Sequence, residues 1–156
     1  MDLMSNGLQC GRSMRLLNIV DDFNQEALVM EADTSMPSQR VLRILNQLIS
    51  WRSITQKIRV DNSSEFISHV FKNWFENKGI EICYTQPGKP TQNTLVERFD
   101  GSVRREFFNV HQFKSVEYMN GLLEEWMIDY NAERPLDSLG NQTPWEYLYI
   151  NKINVA

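Results

Sequence analysis

The chain has 156 residues, 42% of them hydrophobic, which is one domain's worth of sequence with enough apolar material to bury a core without disulfide or metal staples. No apolar run reaches membrane-spanning length and no charged-then-apolar leader opens the chain, which argues against a membrane or secreted protein and for a soluble cytoplasmic one. A net charge of −4 and an isoelectric point near 5.2 argue against a module that grips nucleic acid by bulk basicity, so any such role must come from local arrangement.

Residues 2–4 read as a strand stub ended by the turn signal Ser5-Asn6-Gly7, followed by a polar loop to about Ser13. Leu16 to Val20 and Ala27 to Ala32 are two β-type runs joined by a short polar connection, as in an antiparallel hairpin. A helix follows, with Ser35 as its expected cap and Pro37 in its first turn. Val41, Leu42, Leu45, Leu48 and Ile49 give it one apolar face. Lys57 to Val60 is a short strand ending at Asp61-Asn62. Val70, Phe71, Trp74 and Phe75 mark a second helix stopped by Gly79, and Ile80 to Tyr84 is another strand.

Gln86-Pro87-Gly88-Lys89-Pro90 reads as irregular because of its prolines and glycine. Helices are expected from about Gln92 to Phe108 and from about Ser115 to Tyr130. A short helix starts at Pro144 with Thr143 as its cap. Antiparallel strands followed by alternating helices and strands predict an α/β fold, a mixed sheet with helices packed over it.

Three carboxylates stand out. Asp2 lies in the first strand and Asp61 at the C-terminal end of a later one, where α/β sheets tend to place their chemistry. Glu97 lies inside a helix, thirty-five residues separating it from Asp61. Displacement at a phosphodiester must stabilise an attacking and a leaving oxygen, and two magnesium ions about 3.5–4 Å apart can clamp both. Magnesium takes a few carboxylates together with water and substrate phosphate. Asp2 could bridge both ions, and Asp61 and Glu97 could each bind one. Glu97 and Arg104 share a helix face, with Asn93 and Asp100 nearby. With twenty Asp and Glu in the chain, the spacing gains weight only from the words around it. Cys10, Cys83, His69 and His111 are isolated and read as packing or surface residues.

Four ordered segments supply those words: Arg59-Val60-Asp61-Asn62-Ser63-Ser64-Glu65-Phe66, Gln86-Pro87-Gly88-Lys89-Pro90-Thr91-Gln92-Asn93, Val96-Glu97-Arg98-Phe99-Asp100-Gly101 and Tyr130-Asn131-Ala132-Glu133-Arg134-Pro135. Together they resemble the integrase core of bacterial insertion-sequence transposases of the IS-three type, relatives of retroviral integrases, from Asp2 to about Leu148. The resemblance implies an RNase H-like fold with a five-stranded mixed sheet, three antiparallel strands then two parallel, over residues 1–150, with 151–156 a C-terminal tail. It implies that Asp2, Asp61 and Glu97 hold two Mg²⁺ (or Mn²⁺) ions and that the enzyme cuts and transfers DNA strands. Asn62, Lys89, Gln92, Asn93 and Arg104 are the implied DNA contacts, and Glu65 helps shape the site or stands as a surface carboxylate. The family also carries an aspartate pair where Asp21 and Asp22 stand, and these remain the alternative to Asp2 as first ligand.

Implied partners are the element ends, target DNA and further copies of the chain on paired ends. Two departures are Ser63-Ser64, where the family has Gly-Pro, and Leu136, where it often has His. Family members also carry an N-terminal helix-turn-helix region and a longer first strand, so the sequence reads as N-terminally truncated. A catalytically inactive remnant that binds DNA or a partner subunit, and an RNase H-type nuclease, are the competing expectations.

Overall fold

The computed structural model describes residues 1–52, 55–86 and 94–155. Among these residues there are five strands: β1 (Asp2–Gly7), β2 (Ser13–Val20), β3 (Ala27–Asp33), β4 (Lys57–Val60) and β5 (Glu81–Tyr84). Six α-helices accompany them among the described residues: α1 (Ser38–Trp51), α2 (Ser64–Ile67), α3 (His69–Lys78), α4 (Thr94–Val103), α5 (Val116–Glu133) and α6 (Pro144–Val155).

β1, β2 and β3 form an antiparallel ladder in that order, and β4 and β5 form a parallel pair. The two ladders meet where the Met1 ammonium donates to the Arg59 carbonyl at 2.6 Å. The expected mixed sheet is therefore present as three strands and two strands, joined at β1 and β4. Among the described residues no helix is long and apolar enough to cross a membrane.

β1 is longer than its sequence suggests. Ser5, Asn6 and Gly7 continue the ladder against Arg15, Met14 and Ser13 instead of turning, so pairing with β2 overrides their turn propensity. α1 starts at Ser38 with Pro37, not Ser35, in the capping position; Pro37 carries an extended ψ of 162°. Ser38 Oγ instead donates to the Glu65 carbonyl at 2.6 Å, tying α1 to α2. Gly79 ends α3 as expected, with a left-handed φ of 68° and its N–H on the Glu76 carbonyl. Thr143 and Glu146 exchange backbone and side-chain bonds at the start of α6, a reciprocal cap. The helix expected to run to Phe108 keeps α geometry only to Val103, then widens into one π turn over Arg104–Phe108.

Strand alternation splits the core in two. Met4, Met14 and Leu16 pack on one face with Phe99, Val103 and Phe107 and with Met119 and Leu123 of α5. Met1, Leu17 and Ile19 pack on the other with α1, Val60, Phe66, Phe71 and Phe75. β2 is buried on both faces, which is why it reads as a near-continuous apolar run.

β3 would expose backbone groups along one margin, and two asparagines of α5 occupy them. Asn131 accepts from the Ala27 N–H and donates to the Ala27 carbonyl, both at 2.9 Å. Asn120 does the same for Ala32, at 2.8 and 3.0 Å. Eleven helical positions at ~1.5 Å and five strand positions at ~3.3 Å both span roughly 16–17 Å, so helix and strand stay in register. Asn131→Ala leaves a buried N–H and C=O unpaired and should cost about 2–3 kcal/mol. Asn120→Ala should cost less, because Asn120 is half-buried and water can replace it. Urea denaturation of the two variants at an unchanged m-value checks the ranking.

Candidate active site

The site is built around a buried polar contact between β2 and α4. Asn18 interrupts the apolar run Leu16-Leu17-Asn18-Ile19-Val20, and its side chain falls on the α4 side, fully buried. A buried amide needs partners. Asn18 Nδ2 donates to Asp100 Oδ1 at 2.7 Å and to Met4 Sδ at 3.2 Å. Asp2 sits directly opposite Asn18 in the ladder, and its carboxyl meets that of Asp100 within hydrogen-bonding reach. Asp2 Oδ1 also accepts from the Leu3 N–H at 2.8 Å.

Asp100 is 8% exposed, and its acidity records this environment. Burial first, then the hydrogen bond and charge of Asp2, push its carboxyl up to about 8, against the partial relief that Asn18 and the Met1 ammonium give. At neutral pH the proton is favoured, and a protonated Asp100 can donate to Asp2. The Met1 ammonium lies in the same neighbourhood. Burial lowers its pKa, opposed by Asp2, Asp22 and Asp100.

Asp61 follows β4 directly, on the strand that Met1 joins through Arg59. It is half-buried, and its Oδ1 accepts from the Ser63 N–H at 3.1 Å. Asn62 donates to the Thr85 carbonyl at 2.8 Å, holding the exits of β4 and β5 together. Glu97 lies in the first turn of α4 and is exposed, and Arg104 is exposed at the start of the π turn. Leu95 and Val96, beside Glu97, line a cavity of about 20 Å³ with Met1, Asp22 and Arg59, so the start of α4 adjoins the seam between the ladders. Lys89, Gln92 and Asn93 lie outside the described residues.

Asp22 pairs with Arg59 at 3.5 Å, and Asp21 Oδ1 accepts from the Phe23 N–H at 2.7 Å, closing a tight turn. Glu65 pairs with Arg15 of β2 at 3.2 Å. Burial works to raise its carboxyl, but its own backbone N–H, Ser64 and the Arg15 charge outweigh that and hold it below the ordinary range.

The structure thus brings Asp2 to Asp100 and sets their elements beside β4 and Asp61. Among the described residues, no three His, Cys, Asp or Glu side chains gather closely enough to enclose a metal ion. An all-oxygen set still suits magnesium, which is held by one or two carboxylates with water and substrate phosphate rather than by a closed protein cage. Sequence reasoning passed over Asn18 and gave Asp100 no role. The usable signals were a lone amide inside a buried strand run and a second acid one helical turn after Glu97.

Integrase core domain signatures match residues 1–90 and 78–144. The uncharacterized 39.2 kDa protein of insertion element IS476 from Xanthomonas euvesicatoria is 34% identical over 94% of this chain and 42% of its own length. The uncharacterized 31.7 kDa protein of insertion element IS407 from Burkholderia multivorans is 32% identical over 94% of this chain and 53% of its own. The chain therefore spans about half the length of the curated relatives it matches. Among solved structures, the HTLV-2 integrase catalytic core domain in complex with magnesium superposes with a TM-score of 0.70 at 16% identity, covering 94% of this chain and 91% of that one. The BIV integrase catalytic core domain gives 0.70 at 16% identity, covering 99% and 97%. These likenesses establish the RNase H-like fold.

Because the folded Asp100 titrates near 8 and an unfolded one near 3.8, the native state holds the extra proton between those values. Its contribution to stability is fully present below about pH 4 and is lost as pH rises through 8. In metal-free buffer, Asp100→Asn should melt several degrees above the parent at pH 9 and close to it at pH 4. Melting temperature against pH, followed by circular dichroism with EDTA present, is the measurement.

Proposed function

This chain belongs to the integrase core family, and on that footing we propose that it is the catalytic core of an insertion-sequence transposase, cutting DNA at the element ends and joining them to target DNA. What supports the reading most directly is adjacency. An acid on β1 and an acid immediately past β4 stand on two strands joined by the Met1–Arg59 hydrogen bond, with the start of α4 alongside.

Asp2, Asp61 and Glu97 would hold two divalent cations, Mg²⁺ or Mn²⁺. When bound, such ions supply Lewis-acid stabilisation of the attacking and leaving oxygens. Asp100 lies against Asp2, and in its protonated form it would donate a hydrogen bond to the Asp2 carboxylate. Asn62 keeps the β4 exit in place through Thr85. Arg104, with Lys89, Gln92 and Asn93, contacts the DNA backbone, so that a water or a 3′ hydroxyl is presented in line with the scissile phosphodiester. The enzyme works as a homo-oligomer on paired ends, in the bacterial cytoplasm at the nucleoid.

A second reading is a relative that binds DNA or a partner subunit without cutting. The observation favouring it is that no three acidic side chains close on one another among the described residues.

Incubation with Mg²⁺ or Mn²⁺ and labelled duplexes carrying the element end separates the two. Nicking or strand transfer is expected, falling at least about a hundredfold in Asp61→Asn and in Glu97→Gln and disappearing with EDTA. Cutting that survives both substitutions sinks the three-carboxylate assignment, and retained binding without any cutting favours the second reading.

A further inference from the structure

A pocket of about 220 Å³ lies beside α4, walled by the end of α5 and the turn after Leu136. It carries three arginines, Arg98, Arg105 and Arg134, in a chain whose net charge is −4. Their states differ. Arg134 is ion-paired with Glu106 and lies over the rings of Trp126 and Tyr130, 5.7 and 5.6 Å from their centroids. It serves as a wall whose charge is already compensated. Arg98 and Arg105 are exposed and have no carboxylate partner among the described residues. One acid, Asp137, borders the pocket, leaving a net positive opening.

The surroundings suit an anion with several oxygens. Arg98, Ser102 and Arg105 follow one stripe of the helix, and Arg105 Nη2 donates to Ser102 Oγ at 3.3 Å. Gly101 leaves room for that fold-back, since a Cβ there would stand 3.3 Å from Arg105 Nη1. Across the pocket, Gln25 and Ser138 exchange hydrogen bonds at 2.8 and 3.0 Å. Gln25 does so from a left-handed backbone, φ 57°, that a residue with a side chain rarely adopts. Two fork-shaped guanidinium donors match the oxygens of a phosphodiester, and the Gln25 amide nitrogen opposite keeps a second N–H beyond the one that Ser138 accepts.

We propose that this pocket seats a DNA backbone phosphate, gripped by Arg98 and Arg105, on a different side of α4 from Glu97 and Asp100. The inference rests on the reading that the chain acts on DNA, and it adds a contact outside the expected set of Asn62, Lys89, Gln92, Asn93 and Arg104. A duplex held there and at the acidic site straddles α4, so the pocket sets the position of the strand about the helix axis. Such a contact is blind to base sequence and depends on salt.

The test is binding of a fluorescein-labelled duplex to the full chain by anisotropy, in EDTA, over a salt series. Arg98→Gln with Arg105→Gln is expected to weaken binding about tenfold and to lower the salt slope by about one per arginine, equally for element-end and unrelated duplexes. Arg43→Gln, an exposed arginine on α1, is expected to leave binding unchanged. A second measurement needs no DNA: titrated inorganic phosphate should shift the side-chain Nε–Hε resonances of Arg98 and Arg105 and leave that of Arg43 in place. Unchanged duplex affinity in the double variant, or an equal loss in Arg43→Gln, overturns the pocket. If cutting that depends on Asp61 persists in that double variant at unchanged affinity, the pocket fails and the catalytic reading stands. If the double variant binds weakly while the parent cuts nothing, the pocket stands and the catalytic reading fails.

Discussion

The hydrogen bond from Asn18 to Asp100 is the contact on which the site's geometry depends. It is buried, it links the middle of the three-stranded ladder to the helix that carries Glu97, and it sets Asp100 against Asp2. An apolar pair at these positions could pack equally well, but it would leave α4 free to slide along the sheet, because dispersion has little directional preference. A fixed donor–acceptor distance removes that freedom. The cost is a carboxyl held well away from its ordinary acidity.

The same logic recurs at the periphery. Helix α5 packs Met119 and Leu123 into the core, while its position along β3 is set by two amides that must meet Ala27 and Ala32. Arg40 reaches from α1 to Glu31 at 2.6 Å, and Arg52 and Trp145 converge on the buried Glu26. Apolar burial supplies the bulk of the stabilisation, and directional polar contacts decide how each helix sits on the sheet.

Much of this was legible from residue order. Period-two alternation and apolar runs identified β2 to β5, and 3.6-residue periodicity identified α1, α3 and α5, because those patterns follow directly from which side chains must leave water. Two segments were misread because local propensity gave way to pairing or packing. Ser5-Asn6-Gly7 looks like a turn until a partner strand lies beside it, and the π turn at Arg104 has no compositional mark. Of the candidate site, Asp2 and Asp61 could be assigned to strands, but that those strands adjoin shows only in the fold. The role of Asp100 could not, since its partner Asn18 lies eighty-two residues away and nothing local signals the pairing. Lys89, Gln92 and Asn93 keep the standing that the sequence alone gives them.

The amides of α5 along β3 also bear on how copies of the chain can meet. A bare strand margin is a template on which like molecules add edge to edge. Here the β3 margin is occupied by side chains of the chain's own helix, and the terminal strand at the opposite end, β5, is only four residues long and carries a charged Lys57–Glu81 pair at its start. Growth by strand addition is discouraged at both ends of the sheet. A second molecule meeting the sheet at either margin finds few free backbone groups to pair with.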